Sequence, residues 1–251
     1  MPETAARLRR YSYLGPAGTF TEAALKQVPE AAGMDWAPVA NIGEALDDVT
    51  SGVSDAAMIA IENSIDGGVT VAQDALATIP GLPIVGEYLV PVRFVLVARR
   101  GTALADVNVV SGHPVAYAQC RAWLDNARPT HRHLVATSNV QAAADLFAPE
   151  KGIDAAIAPP GIEDHYDVDV LASGIGDNIN AVTRFVLVSR TTAPPAPPGA
   201  DKTSLIVELP HDHPGSLLEM LEPFSTHCIN LSLIESLPTG AADGRSVGQQ
   251  G

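Results

Sequence analysis

Residues 176 to 188, Gly-Asp-Asn-Ile-Asn-Ala-Val-Thr-Arg-Phe-Val-Leu-Val, join a polar loop to an apolar, β-branched strand through Thr183 and Arg184. A strand that buries its own side chains fixes the backbone beneath such a pair, so a hydroxyl and a guanidinium are held rigidly where anion chemistry could sit at the mouth of a cleft. Three further stretches carry polar groups where a strand candidate ends. Gly15-Pro16-Ala17-Gly18-Thr19 puts backbone N–H groups and a hydroxyl at a helix start, which suits a carboxylate, although a tight turn before a capped helix is the plainer reading. Glu62-Asn63-Ser64, followed by Gly67-Gly68, sets three polar side chains past a buried strand. Gly112-His113-Pro114 with Gln119-Cys120 opens a helix, where a lone histidine is more often a hydrogen-bonded structural group than an acid or base. His131/His133 and His211/His213 alternate but bring no further ligand with them, so metal binding is not expected. No Walker loop, dinucleotide fingerprint or Gly-x-Ser-x-Gly elbow is present.

The elements that must position these residues alternate strand and helix, the pattern of an α/β fold with a mainly parallel sheet. Strands are expected at Arg10 to Leu14, Trp36 to Val39 and Ala56 to Ile61, with helices from Thr19, from Asn41 through Val53, and over Val69 to Ile79. Thr19/Glu22, Asn41/Glu44 and Ser138/Gln141 all have capping-box spacing. An apolar run from Tyr88 to Val97 leads into a second set: strand Val107 to Val110, helix Val115 to Ala127, strand Leu134 to Ala136, a helix from Ser138 to about Phe147, and strand Asp154 to Ala158. The last strand, Phe185 to Val188, resembles those of the first half, so two lobes are expected over residues 1–190, with crossings near residues 90 and 175. Ligands in open α/β sheets bind beyond the carboxyl ends of the strands. Residues 191–202 read as a stiff proline-rich linker, and 203–238 as strand Thr203 to Leu209, helix Pro214 to Thr226 and strand Ile229 to Ile234. Residues 239–251 are small, polar and glycine-rich and are expected to be disordered.

At 251 residues and 46% hydrophobic content the chain can bury a substantial core. A net charge of −14 makes nucleic acid a poor partner. A small anionic ligand would need a few local arginines, such as Arg93, Arg121 or Arg184. Cys120 and Cys228 lie far apart without metal-type spacing, which is the pattern of a reduced, cytoplasmic protein. No secretory signal and no run of ~18 apolar residues is seen.

Taken in order, Tyr13 to Phe20, Glu62-Asn63-Ser64 with Gly68-Val69, His113-Pro114 with Gln119-Cys120, and Asn180 with Thr183-Arg184-Phe185 resemble prephenate dehydratase. The resemblance spans about residues 10 to 190. It continues through Ser204-Leu205, Gly215, Ser216, Leu217 and Leu218, Asn230-Leu231 and Ile234-Glu235-Ser236, which look like the first half of an ACT regulatory domain. It implies a bilobal periplasmic-binding-protein-like catalytic domain followed by a partial ferredoxin-like βαβ segment, with the active site in the cleft. The implied enzyme is monofunctional, works without a cofactor, and converts prephenate to phenylpyruvate in phenylalanine biosynthesis. By the same resemblance Thr183 is the catalytic hydroxyl, and Arg184 is either a carboxylate clamp or a salt bridge between lobes. Glu62 is a catalytic group or a structural acceptor. Thr19, Asn63, Ser64, His113, Gln119 and Asn180 would bind the substrate, while Gly215 to Leu218, Glu235 and Ser236 would bind a phenylalanine effector.

This chain also departs from the family. The serine usual before His-Pro falls on Gly112 unless Ser111 replaces it, the glutamine usual after that proline is Val115, and Leu237 stands where the family's Glu-Ser-Arg-Pro has arginine. Half an ACT domain leaves unpaired sheet edges, so phenylalanine feedback is expected to be impaired and a dimer through the catalytic lobes is favoured over a tetramer. Two other readings are an arogenate dehydratase and a non-catalytic small-anion-binding protein of the same fold.

Overall fold

The computed structural model describes residues 9–65, 67–193, 199, 203, 205, 207, 209, 213–232 and 234. The chain divides into Met1–Ala196 and Pro197–Gly251.

The first unit holds two sheets. One is built from β1 (Arg10–Leu14), β2 (Asp35–Val39), β3 (Ala56–Asn63), the two-residue β4 (Gly67–Gly68) and β5 (Ile84–Pro91), with α1 (Phe20–Leu25), α2 (Ile42–Ser51) and α3 (Thr70–Thr78) between them. The second contains β6 (Val95–Arg99), β7 (Val109–Gly112), β8 (Arg132–Val135), β9 (Ala155–Ala158) and β10 (Val168–Ser173), with α4 (Pro114–Gln119), α5 (Arg121–Ala127) and α6 (Asn139–Asp145). The chain then returns to the first sheet as β11 (Val182–Ser189).

The first sheet runs β2-β1-β3-β11-β5 and the second β10-β6-β9-β7-β8. Relabelled by position within its lobe, each has the same order, with one antiparallel strand inserted beside the third parallel strand. The inserted strand is β11 in the first lobe and β6 in the second, so each lobe is completed by a strand entering directly from a crossover. This repeated order gives the unit two similar α/β lobes.

Both faces of both sheets are covered, because strands such as Ala-Ala-Met-Ile-Ala-Ile in β3 are apolar on each side. On one face of the first sheet Tyr11, Tyr13, Met58, Val90, Phe185 and Leu187 pack with Ala24 and Leu25 of α1. On the other, Ile59, Ile61, Val186 and Val188 pack with Leu46 and Val49 of α2.

The apolar run from Tyr88 to Val97 holds the end of β5, the crossover at Val92, Arg93 and Phe94, and the start of β6. One helix expectation is corrected. The expected helix from Val115 to Ala127 breaks at Cys120, because the Asp177 carboxylate takes the Ala122 and Trp123 N–H groups at 3.0 and 3.2 Å that an unbroken helix would have used.

In the second unit α7 (Ser216–Thr226) forms, with Gly215 at its N-cap in the left-handed region and Ser216 Oγ accepting from the His213 N–H at 3.0 Å. Leu217 and Leu218 are exposed. The expected strand over 203–209 falls partly outside the described residues, as do Glu235, Ser236 and the tail. The described residues of the expected strand at 229–234 form no strand, and a segment becomes a strand only when a neighbour takes its hydrogen bonds. Among the described residues no helix is long and apolar enough to cross a membrane.

Candidate active site

β11 runs antiparallel to β3, so its first residues lie at the same sheet end as the carboxyl ends of β1 and β3. The crossover segments meet there too: the Val92 N–H donates to the Ala181 carbonyl at 2.8 Å and the Ile175 N–H to the Phe94 carbonyl at 3.1 Å. Thr183, two residues past Ala181, is buried at this junction.

Its only described side-chain partner is Asn63, whose Nδ2 donates to Thr183 Oγ1 at 3.0 Å. The pairing depends on a bulge. Arg184 opposes Glu62 and Phe185 opposes Ala60, leaving Ile61 as an extra residue in β3. Strict alternation from Met58 and Ala60 would have put Glu62 on the Thr183 face. The extra residue shifts the pattern by one, handing Asn63 to Thr183 and Glu62 to Arg184.

Adjacent strand residues face opposite ways, so Arg184 does not share a surface with Thr183. Its guanidinium lies on the α2 and α3 face, with Nε 2.8 Å from Glu87 Oε1, Nη2 donating to Glu87 Oε2 at 3.1 Å, and Nη1 3.3 Å from Glu62 Oε2. Burial opposes the charge, but the hydrogen bonds and charges of Glu87 and then Glu62 outweigh it and hold the guanidinium pKa above its ordinary value. Arg184, Glu62 and Glu87 all belong to the first sheet, so these ion pairs lie within one lobe rather than between lobes. Sequence reasoning missed Glu87, because it lies just before the apolar run that begins at Tyr88 and its pairing with Arg184 depends on the β5–β11 register.

Thr19, Ser64 and His113 follow the carboxyl ends of β1, β3 and β7, Gln119 ends α4 and Asn180 precedes β11, but several have their side chains occupied. Thr19 Oγ1 donates to the Leu14 carbonyl at 3.0 Å and accepts from the Glu22 N–H at 3.3 Å as the cap of α1. Glu22 closes that box by accepting from the Gly18 N–H, so the donors of this turn serve the fold. Ser64 Oγ accepts from the Val182 N–H at 3.0 Å, extending the β3–β11 ladder. In the second lobe His113 Nδ1 accepts from the Val115 N–H at 3.3 Å as the cap of α4. Gln119 ends that helix and its carbonyl accepts from the Asp177 N–H at 2.6 Å. Asn180 is exposed on the return crossover, three residues before Thr183.

The serine usual at the position of Gly112 would be tight here, since a Cβ there would sit 3.2 Å from Cβ and Cδ1 of Ile157, which would have to give by a few tenths of an ångström. Ser111 does not replace it: it is buried opposite Ala156 in β9, on the face packed by α6. Cys120 is fully buried, and burial, with the nearby Asp177 charge, pushes its thiol up to about 12, so it is no nucleophile.

The lobes touch beside Thr19. Gly18, at φ +89°, is the point of approach, where a Cβ would stand 2.9 Å from Cδ1 of Ile162. There His165 Nε2 lies 3.4 Å from Glu22 Oε2 and the Phe20 and Phe94 rings meet edge-to-face at 5.8 Å. A separate depression lined by Arg9, Tyr11, Asp55, Tyr88, Leu187 and Thr192 lies at the opposite end of the first sheet, away from Thr183.

Residues 11–193 match the prephenate dehydratase family model. The chain belongs to the prephenate dehydratase family. The prephenate dehydratase of Mycolicibacterium vanbaalenii is 41% identical over 243 residues, covering 91% of this chain and 76% of the relative. The crystal structure of the Arthrobacter aurescens prephenate dehydratase in complex with L-Phe superposes with a TM-score of 0.86 at 49% identity, covering 92% of this chain and 76% of that one. The prephenate dehydratase of Staphylococcus aureus does so with a TM-score of 0.71 at 26% identity, covering 92% and 84%. Prephenate dehydratase activity makes this chain a carbon–oxygen lyase of phenylalanine biosynthesis. Prephenate loses carbon dioxide and its ring hydroxyl as water, and the ring becomes aromatic.

Proposed function

We propose that Thr183 is the proton donor of this reaction. When the ring C–CO₂ bond breaks, its electron pair moves through the ring diene and expels the ring oxygen, which needs one proton to leave as water. Aromatisation supplies the driving force, so the protein need only place a donor at that oxygen and hold the two carboxylates. The observation that carries this reading is a buried hydroxyl at the carboxyl end of the first sheet, beside both crossovers and fixed by Asn63.

The substrate-binding roles of Asn180, Gln119, Ser64, His113 and Thr19 are weighted by what their side chains already do. Gln119 and Asn180 are the stronger candidates for direct contact; Ser64, His113 and Thr19 act by shaping the backbone around the site. Prephenate is the substrate, and side-by-side kinetics with arogenate test the choice: comparable efficiency on both would refute it.

The Arthrobacter aurescens relative binds L-Phe, and Gly215 to Leu218 is proposed as this chain's share of an effector site. With Leu237 in place of arginine, the response is expected to be weak. Turnover measured with and without phenylalanine tests this, and strong inhibition at micromolar levels would overturn it. Two distant cysteines suit a reducing cytoplasm.

Thr183→Ser should retain most activity, whereas Thr183→Val, which keeps the shape and loses the proton, should lower kcat by about 10²–10⁴-fold. A valine variant with native turnover would remove Thr183 from the mechanism.

A further inference from the structure

We propose that Asn63 is a positioning residue that acts on the reaction through Thr183, directing the hydroxyl proton outward, rather than by contacting the substrate. The inference rests on the reading of Thr183 as proton donor.

The amide cannot be turned the other way. The Ile65 N–H lies 2.8 Å from Asn63 Oδ1, and a backbone N–H can only donate, so the atom facing it must be the oxygen. The NH₂ group is therefore the one aimed at Thr183 Oγ1. A threonine hydroxyl has one proton and two lone pairs. With a lone pair taken by Asn63, the proton must be offered to something else, and Asn63 presents it no acceptor.

Accepting a hydrogen bond also makes a hydroxyl a better donor, because the two bonds polarise one another. As the proton leaves, negative charge develops on Oγ1, where the amide N–H already points. The dipole is in place before the reaction starts, and a preorganised donor costs no reorganisation at the transition state. The bulge at Ile61 is what makes the arrangement possible, since without the extra residue Asn63 would face away from Thr183.

Asn63→Asp tests this with almost no change in shape. The carboxylate still accepts from the Ile65 N–H but now also accepts from Thr183, drawing the proton inward. The expected result is a fall in kcat of about 10²-fold or more, the scale of removing one preorganised donor, with KM changed less than about threefold. Asn63→Ala, which removes the donor without adding charge, should show the same split. In a Thr183→Val background neither change should lower kcat further. A rise in KM with kcat preserved would make Asn63 a substrate contact and overturn the proposal, as would unchanged kinetics in both variants. Native turnover in Thr183→Val alone would sink the proton-donor reading instead, so the two failures are distinguishable.

Discussion

Thr183 and Arg184 are neighbours in sequence that face opposite ways, and that sets what each can do. The hydroxyl looks toward Asn63 and the guanidinium toward Glu62 and Glu87. Arg184→Met should therefore cost stability, by about 1–3 kcal/mol, because it leaves two carboxylates facing each other without their cation. Making Glu62 and Glu87 into glutamines in the same variant should recover most of it. Denaturant titration of the single and triple variants checks this; an Arg184→Met variant with native stability and a raised KM would restore the clamp reading. The cysteines differ in a similarly local way. Cys120 is buried with its thiol pKa raised, whereas Cys228 is exposed. In the described fold, one thiol per chain should react with an alkylating reagent at pH 8, and two after unfolding. Two equivalents from the native protein would contradict the burial of Cys120.

At the scale of elements, what was legible in the sequence was what is decided within a few residues. The caps Thr19, Asn41 and Ser138 all accept from the N–H three residues on, because capping needs only that spacing. What was not legible is decided at long range. The break at Cys120 depends on Asp177, 55 residues away from Ala122, and no periodicity in 115–127 announces it. The Ile61 bulge is also invisible in the sequence of β3, since it exists only in register with β11. Gly112 belongs here because its neighbour across the sheet sets its size limit. Gly112→Ser should destabilise the fold by about 1–2 kcal/mol through overpacking against Ile157, and Ile157→Val should relieve part of the cost. Thermal denaturation of the single and double variants decides it; a serine variant at least as stable as the parent would show that Ile157 gives way freely.

Across the catalytic unit, the two-lobed α/β architecture was legible because the second half of the sequence repeats the strand–helix rhythm of the first, and β11 has the same apolar character. The sequence did not show how the lobes touch. Glu22 joins them: its carboxylate holds the Gly18 N–H of one lobe and lies 3.4 Å from His165 of the other. Glu22→Gln should raise KM a few-fold while leaving kcat nearly unchanged, because glutamine still accepts from Gly18 but lacks the carboxylate charge that faces His165 across the lobes. Steady-state kinetics test this, and an unchanged KM would make the contact incidental. The central claim is that the lobes bring prephenate's ring hydroxyl to Thr183. Its most direct test is the structure of the protein with an unreactive prephenate analogue bound. The account predicts Thr183 Oγ1 within hydrogen-bond distance, about 2.6–3.2 Å, of the analogue's ring oxygen, with Asn63 still donating to Thr183; an analogue seated between the lobes with that oxygen held by another residue would contradict it.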